Sequence, residues 1–575
     1  MRPLAFQNTA WAAMRKYDVV RGERRRAQLV MVVAVLALVA GRICEVTSRE
    51  GDTAFCSAND RSRWCTIASL VEHGTYAIDD VISIQGDQPN RRPWDSIDKV
   101  RHVGADGQLH FYSSKPTLLP TMVAGIYYVV NKMSGLKMTE HPIYVPRLIL
   151  LLLNLPVLAV LLLSMLASIE MVGASDFARR LAMAAICFGT MTTPFAISLN
   201  NHLIAASATS LTLMIYLFVS ERRRDDILGP VFHPRVLPWA AAGLSAAFAV
   251  ANELPALSMF VLWLGLFTAM VRRSFLPFMM ASLTVAIGVF GTNWVAHQSW
   301  ATPYAHRGIG EAIETLVVNE VSLESDLPPW GSDAPYQRLQ GPLREQLNQS
   351  ESIDNTDTVD ARRLRSSGYE LIVRQDRQQT DGTGSSVTSQ FHLAESADAD
   401  AIRWTLSQWN DWYDYPGSHW RKETRPGVDA GEPNRMRYVF HATFGYYGLF
   451  SLTPLWILVP IGWATGIRHG PAETRRLVAA IAITSVVVFA FYIARPEIDR
   501  NYGGVSVCLR WMIWLAPLWL FCIVDEMSAL AESRAGRAIL LVLFALGVFS
   551  VATSLDTPWQ SPWPMRFASF LGWLG

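Results

Sequence analysis

Charge is scarce in this chain. Asp, Glu, Lys and Arg make up 17% of its 575 residues, against about a quarter in a typical soluble domain. The net charge of +1 says nothing about partners, because distribution matters more than the sum. The basic residues sit at the ends of apolar runs, where a membrane accounts for them, so nothing points to nucleic acid. Cysteine is equally sparse. Of the six, Cys44, Cys187, Cys508 and Cys522 lie in apolar segments and read as small core residues. Cys56 and Cys65 flank a polar stretch, and a disulfide between them is allowed if that stretch is extracytoplasmic. No Cys/His spacing reads as a zinc site; no cofactor is expected, and dependence on a divalent metal is left open. No internal repeat is evident, and no small-residue cleavage site follows the basic N-terminus.

What is present is apolar sequence in runs. Hydrophobic residues reach 51%, with 20 Trp. Runs near 20 residues, several ending in arginine clusters, define a polytopic membrane protein. The basic segment 1–27 precedes a signal-anchor run from Gln28 to Val46. Further spans are expected near 147–170, 180–197, 202–219, 237–252, 255–271, 275–297, 446–466, 475–494, 507–526 and 537–555. The segment 117–133 is barely long enough to cross. If it does not cross, Arg179-Arg180, Arg222-Arg223-Arg224, Arg272-Arg273, Arg468 with Arg475-Arg476, and Arg534 with Arg537 all share the N-terminal side, as the positive-inside rule asks. It is therefore read as a juxtamembrane or re-entrant helix on the outer face. The expectation is an all-α bundle of about eleven spans. Its N-terminus is cytoplasmic and its location the plasma (inner) membrane.

Four regions follow: the basic N-terminus 1–27, an N-terminal transmembrane module 28–299 carrying the first outer loop 47–146, a large extracytoplasmic loop 300–440, and a C-terminal transmembrane module 441–575. The large loop is polar and acidic in its middle. With stretches such as Thr380-Asp381-Gly382-Thr383-Gly384-Ser385-Ser386 it reads as a small, partly mobile insertion. Trp404, Trp409, Trp412, Tyr413, Tyr415 and Trp420 crowd its end, as an interfacial helix with an aromatic belt or as a sugar-stacking surface.

The polar residues worth singling out fall on the outer face. Asp60 follows the first span with Arg61 and Arg63 beside it; Asn59 or Asp60 suits a helix N-cap, and Asp60 also suits a general base. Lys115 precedes Pro116 at the start of the juxtamembrane helix, where it can snorkel or meet a lipid phosphate. Asn200-Asn201-His202 lie between two spans, as caps or as hydroxyl and phosphate contacts. Glu253 sits in a short turn. The turn from Arg495 to Gly504 places Arg495, Arg500 and Tyr502 outside, and Arg510 lies within the next span. Such arginines pair with neighbours such as Glu497 or Asp499, or they form an anion site, since guanidinium binds phosphate bidentately.

Asp60 at the start of a short helix, then Tyr112-Ser113-Ser114-Lys115-Pro116-Thr117-Leu118, then Arg147-Leu148 opening a span, resembles the GT-C type membrane glycosyltransferases. The pattern is similar to the aminoarabinose lipid A transferases and the polyprenyl-phosphate mannosyltransferase-like group. It covers mainly residues 28–220. The family's Asp-Glu pair reads Asp60-Arg61 here, so a metal or second-carboxylate role does not carry over. Lys-Pro-Pro reads Lys115-Pro116-Thr117.

The resemblance implies an inverting transfer at the outer membrane–water interface. The donor would be a sugar on a polyprenyl phosphate, and the acceptor a lipid, glycan or protein. Asp60 and Lys115 would be catalytic. Arg63, Tyr112, Arg147, Asn201, His202, Glu253, Arg495, Arg500, Tyr502 and Arg510 would bind substrate. A flippase of lipid-linked saccharides is the rival expectation; it should place ionisable groups at the bilayer midplane rather than at one face. A degenerate, non-catalytic member acting in envelope assembly is the other.

Overall fold

Hydropathy and helix run together in the computed structural model, which describes residues 4–224, 236–318, 321–324, 336–349, 353–354, 357–364, 368–378, 384–396, 403–420 and 425–574. Residues 379–383 of the stretch expected to be mobile, and 1–3 of the basic N-terminus, lie outside the described residues. Among those described, seven helices are long and apolar enough to cross a membrane: Gly22–Glu45, Tyr144–Met171, Asn201–Glu221, Arg272–His297, Ala472–Ala494, Arg510–Leu530 and Arg534–Ala552. Leu237–Asn252 and Leu254–Met270 are apolar but shorter.

Two other expected spans are broken. The 180–197 segment runs as helix Asp176–Ala184, a π turn Ala185–Gly189 and a 3-10 turn Pro194–Ile197. The 446–466 segment is split into Leu449–Leu452, Pro454–Leu458 and Val459–His469. Pro194 and Pro454 lack the amide that a continuous helix requires, and each opens a 3-10 turn instead.

The chain forms two compact units. The first comprises Met1–Asp60, His141–Gly288 and Pro426–Gly575. Contacts reveal the relative directions of its helices. Buried Arg24 pairs with Glu170 at 2.6 Å and with Asp176. At the far ends of the same two helices, Arg147 Nε donates to the Val46 carbonyl at 2.9 Å, so Leu4–Glu45 and Tyr144–Met171 are antiparallel. Ser207 and Ser210 donate to the carbonyls of Val157 and Leu161. The contact advances the same way along both chains, so Asn201–Arg224 runs parallel to Tyr144–Met171. One end of this unit therefore gathers Val46, Arg147 and Asn201; the other gathers Arg24, Glu170 and Asp176. This is the grouping of ends that the charge parity requires. Gly462 lets helices touch: a Cβ there would lie 2.2 Å from the Cys522 carbonyl oxygen.

The second unit comprises Arg61–Glu140 and Val289–Arg425. The first outer loop and the long loop thus fold together. The insertion, whose fold the sequence left open, contains sheet. Lys99–Val103 (β1) and Leu109–Ser113 (β2) form a hairpin. Seven further strands, β3 (Ala312–Val317), β4 (Ser322–Glu324), β5 (Gln337–Gln340), β6 (Thr358–Arg363), β7 (Tyr369–Gln378), β8 (Gly384–Ser396) and β9 (Arg403–Gln408), make an antiparallel sheet ordered β3-β9-β8-β7-β6-β5-β4. Leu371, Val373, Leu393 and Leu406 turn into one core with Leu343 and Leu347 of the helix Gly341–Leu347, which gives a sheet this polar its apolar side.

The aromatic-rich end is not an interfacial helix. Trp404 is in β9, and Trp409, Trp412, Tyr413 and Trp420 pack instead around Val100 and Tyr112 of the β1–β2 hairpin. The segment 117–133, expected as a juxtamembrane or re-entrant helix, is covered by the helix Leu118–Ser134, closed by Gly135 in the left-handed region. Cys56 and Cys65 are both free thiols, and Cys65 Sγ donates to the Trp94 carbonyl at 3.1 Å.

Candidate active site

In the first unit the turn before Asn201–Arg224 is clamped from two sides. Asn154 Nδ2 donates to the carbonyls of Ala196 and Ser198 at 2.8 and 3.0 Å, and Asn200 Nδ2 to that of Ser198 at 2.9 Å. Asn200 Oδ1 accepts from the Leu203 amide, which makes it the cap of the helix. The clamp aims the next two residues at Glu253, in the turn between Leu237–Asn252 and Leu254–Met270. Asn201 Nδ2 donates to Glu253 Oε1 at 2.8 Å, and His202 Nδ1 bonds the same oxygen. On the other side of the ring, Arg510 Nη1 lies 3.2 Å from His202 Nε2.

A guanidinium can only donate. His202 Nε2 is therefore the acceptor, and its Nδ1–H donates to Glu253. Arg510 is fixed in turn by a bond from Nε to the Gly503 carbonyl, 2.7 Å, and by the Trp559 ring, 4.7 Å from its guanidinium carbon. Gly503 has φ +94, and a Cβ there would lie 2.9 Å from Arg510 Nε, so both backbone and space ask for glycine. Residues from three separate parts of the sequence, Asn201 with His202, Glu253 and Arg510, thus form one polar chain in which His202 and Glu253 are buried.

Phe195 and Trp559 pack beside His202, at 5.4 and 6.4 Å between ring centroids. They belong to a cluster with Met191, Leu452, Cys508 and Ile513, against which Cys56 packs. Next to it lies a narrow cleft whose walls include Leu452, Trp456, Leu509, Met512 and Trp519. Thr190 and Thr192 are among its lining residues; their hydroxyl oxygens are shut off from solvent and meet no partner among the described residues.

Asp60 is buried and bound from its own loop. Oδ2 accepts the Cys56 amide at 2.9 Å, and Oδ1 accepts the Ser57 amide at 2.8 Å and its hydroxyl at 3.0 Å, while Ser57 Oγ accepts the Asp60 amide at 3.2 Å. That reciprocal pair is a capping box. The helix Ala58–Glu72 is capped by Ser57, not by Asn59 or Asp60 as expected. Through Cys56 the box rests on the same aromatic cluster as His202.

The other arginines take structural partners. Arg495 pairs with Asp499 at 3.1 Å; Arg500 donates to the Pro433 carbonyl at 3.0 Å; Arg147 holds Val46. Tyr502 stacks on Tyr447, 4.5 Å between centroids, with Tyr438 at 4.6 Å.

The second unit holds Arg63, Tyr112 and Lys115. Arg63 is buried. Lys115 Nζ pairs with Asp98 Oδ2 at 2.9 Å, both buried, and reaches the Tyr304 hydroxyl at 3.4 Å. Tyr112 stacks on His102, 4.3 Å apart and 8° from parallel. Asp98, His102, His297 and Trp559 carried no signal in the sequence, because each is a lone polar or aromatic residue brought to its place by long-range packing.

Burial, with only the Val103 carbonyl bond opposing it, lowers His102 to about 4 from an ordinary 6.5. The unfolded chain therefore takes up this proton first. The stability it confers is complete above pH 6.5 and is lost as pH falls toward 4. Asp411, raised to about 6 chiefly by burial and next by Asp414, has the opposite slope between 3.8 and 6. Unfolding measured against pH should thus be less steep in His102→Phe than in the parent between pH 6.5 and 4. Equal slopes would show that His102 takes up its proton alike in the folded and unfolded chain, against the lowering by burial.

No family model and no curated protein matches the chain. Among solved structures it is similar to the S. cerevisiae protein O-mannosyltransferase Pmt1-Pmt2 complex bound to the sugar donor: 11% identity, 95% of this chain and 92% of that chain covered, TM-score 0.43. It is also similar to the Archaeoglobus fulgidus oligosaccharyltransferase in the apo form, at 9% identity and TM-score 0.40 over 95% of this chain and 57% of that one. A third is the oligosaccharyltransferase AglB of the same organism, in complex with an inhibitory peptide and a dolichol-phosphate, at 10%, 0.40, 94% and 57%. Likenesses at these scores carry no assignment of fold or function. The helices themselves, by length and composition, define a multi-pass membrane protein.

Proposed function

We propose that this protein is a glycosyltransferase that moves a sugar from a polyprenyl-phosphate donor to an extracytoplasmic lipid, glycan or protein acceptor, with inversion. The observation that carries the reading is the convergence of Asn201, His202, Glu253 and Arg510 on one another beside an apolar cleft, at the end of the first unit that also holds Asp60. A cleft walled by Trp456, Met512 and Trp519 suits an isoprenoid chain. Arg510, next in sequence to the lining residue Leu509, offers a cation for the phosphate.

In the reaction, an acceptor hydroxyl oxygen bonds to the anomeric carbon from the face opposite the phosphate. The bond from that carbon to the phosphate oxygen breaks, and its electron pair leaves on the phosphate. The hydroxyl proton passes to the Asp60 carboxylate. A phosphate leaves without protonation at neutral pH, so a cation suffices at that side. Asn201, His202 and Glu253 hold sugar or acceptor hydroxyls.

Transfer from radiolabelled polyprenyl-phosphate sugars to a membrane extract tests the reading. Asp60 as base and Asp60 as cap separate in two variants. Ser57→Ala should cost about 1 kcal/mol of stability and keep transfer; Asp60→Asn should abolish transfer in membrane-inserted protein. Full transfer by Asp60→Asn would sink the base assignment. Sugar movement across vesicles without a glycosylated product would replace the whole reading by transport.

A further inference from the structure

Two short helices of the first unit turn apolar side chains outward. Arg435–Thr443 buries Tyr438 and Ala442, and on its opposite side Met436, Phe440 and, just past its end, Phe444 are each more than half exposed. Arg435 and Arg437 are exposed beside that stripe. Trp563–Phe570 buries Ala568, while Phe567 and Phe570, with Trp573 just beyond, are again more than half exposed. The two helices share one tyrosine cluster. Tyr438 belongs to it, Met565 packs against it, and the Tyr447 hydroxyl donates to Met565 Sδ at 3.7 Å.

Where these helices sit decides what covers them. Arg42, on Leu4–Glu45, pairs with Asp556 at 2.7 Å and donates from Nε to the Leu555 carbonyl at 3.1 Å, so Trp563–Phe570 follows at the end that holds Val46. The Leu509 amide donates to the Tyr447 carbonyl at 3.2 Å, and the Glu432 amide to that of Arg500 at 2.9 Å, which sets Arg435–Thr443 near Arg510 and His202 at the same end. The exposed apolar surface of the spans runs on into both. Phe549 of Arg534–Ala552 is half exposed and meets Trp563 at 5.1 Å between ring centroids; Phe444 meets Phe450, at the start of the broken 446–466 segment, at 5.0 Å. A face continuous with the outer side of a membrane span is covered by lipid. Nine and eight residues rise only about 14 and 12 Å, against about 30 Å of hydrocarbon, so neither helix crosses. An exposed apolar stripe edged with arginine suits a helix that lies in the interface.

We propose that Arg435–Thr443 and Trp563–Phe570 lie flat in the membrane interface at the Val46 end of the first unit, with Phe440, Phe444, Phe567 and Phe570 among the upper acyl carbons of the phospholipids and Arg435 and Arg437 at their phosphates. Tyr447 of the shared cluster also lines the cleft, so the pair of helices fixes how deep that wall sits in the bilayer. This placement does not depend on the transferase reading.

Spin labels on the full chain in phospholipid nanodiscs test it. Phe440→Cys and Phe567→Cys, and for contrast the exposed polar-side positions Pro433→Cys and Ser569→Cys, are made singly together with Cys44→Ser, because Cys44 is the exposed native thiol. The ratio of relaxation by oxygen to relaxation by a water-soluble nickel chelate should be on the order of threefold higher at 440 and 567 than at 433 and 569. Equal ratios would leave the stripes in water and overturn the placement. Protection of 440 and 567 from both reagents would mean that protein, a second copy of the chain included, covers them, and would overturn it too. So would a ratio equal to that of Ile483→Cys, in the middle of Ala472–Ala494, since the helices would then be sunk in the hydrocarbon core. In the unaltered chain, phospholipids with a photoreactive group near the head of the acyl chain should crosslink within 435–444 and 563–573. Crosslinks confined to the spans would overturn the placement without recourse to any variant.

Discussion

Replacing Arg510 by alanine is expected to lower sugar transfer by a factor on the order of 100 to 1,000, with the loss in kcat rather than in donor KM. The reason is where charge appears. The anomeric centre becomes positive as its bond to the phosphate breaks, the departing phosphate gains a full negative charge, and a fixed cation beside that phosphate is worth most at that moment. Arg510 is fixed three times over, by the Gly503 carbonyl, by His202 and by the Trp559 ring. It therefore needs no reorganisation when the charge develops.

Arg510→Lys should recover only part of the rate, because a lysine keeps the charge and loses the fork that reaches Gly503 and His202 together. Guanidine added to the Arg510→Ala protein should restore part of the lost kcat; a merely structural arginine would not respond. Arg495→Ala and Arg500→Ala serve as contrasts. Arg495 already pairs with Asp499, and Arg500 already binds the Pro433 carbonyl, so each should change transfer only a few-fold. If Arg510→Ala retained the parent kcat, the phosphate clamp would be misassigned.

How much of this was legible in the sequence depends on the range of the interaction. Spans could be read because hydropathy is local: Tyr144–Met171 and Ala472–Ala494 lie within three residues of the expected 147–170 and 475–494. Intramembrane and outer polar residues were legible as oddities for the same reason. That is how Asn201, His202, Glu253 and Arg510 could be named before their mutual contacts were known. Their partners could not be: nothing in sequence links Glu253 to His202, 51 residues away, or Arg510 to His202, 308 away.

The sheet of the second unit was missed for a different reason. Its strands alternate with period two over short polar runs, as at Tyr369, Leu371 and Val373 in β7, and acidic and basic residues between them read as loop. The aromatic crowd at 404–420 was conspicuous, yet its rings face a hairpin three hundred residues earlier, which composition cannot announce. Asp60 and Lys115 were found by motif. Their ion-pair and capping partners, Asp98 and Ser57, were not, since the motif says nothing of what neutralises them.

The same long-range logic predicts the largest effect on stability, at Glu370. This carboxylate is fully buried in the polar flank of the second unit. It accepts from Arg362 Nε at 2.6 Å, Arg101 Nη2 at 3.0 Å, the Tyr336 hydroxyl at 2.6 Å and Gln390 Nε2 at 2.9 Å. Arg101 belongs to β1 and Arg362 to β6, so one carboxylate joins the hairpin to the sheet. Glu370→Ala would leave two guanidinium groups facing one another in a site already stripped of water, and should cost about 3–5 kcal/mol.

The cost should fall on this unit. Amide exchange over 369–375 and 403–408 should accelerate by a factor on the order of 100 to 4,000, while exchange in Tyr144–Met171 should hardly change. Glu370→Gln keeps the shape and some of the bonds but not the charge, and should fall between. Replacing Glu370, Arg362 and Arg101 together by leucine or methionine removes the charges with the carboxylate, and should recover most of the loss, since burying an ion cluster costs nearly what its attraction returns. An intact exchange pattern in Glu370→Ala would mean that the arginines find water or Asp414, which already accepts from Arg362 at 3.2 Å, and that the network orders the unit without stabilising it.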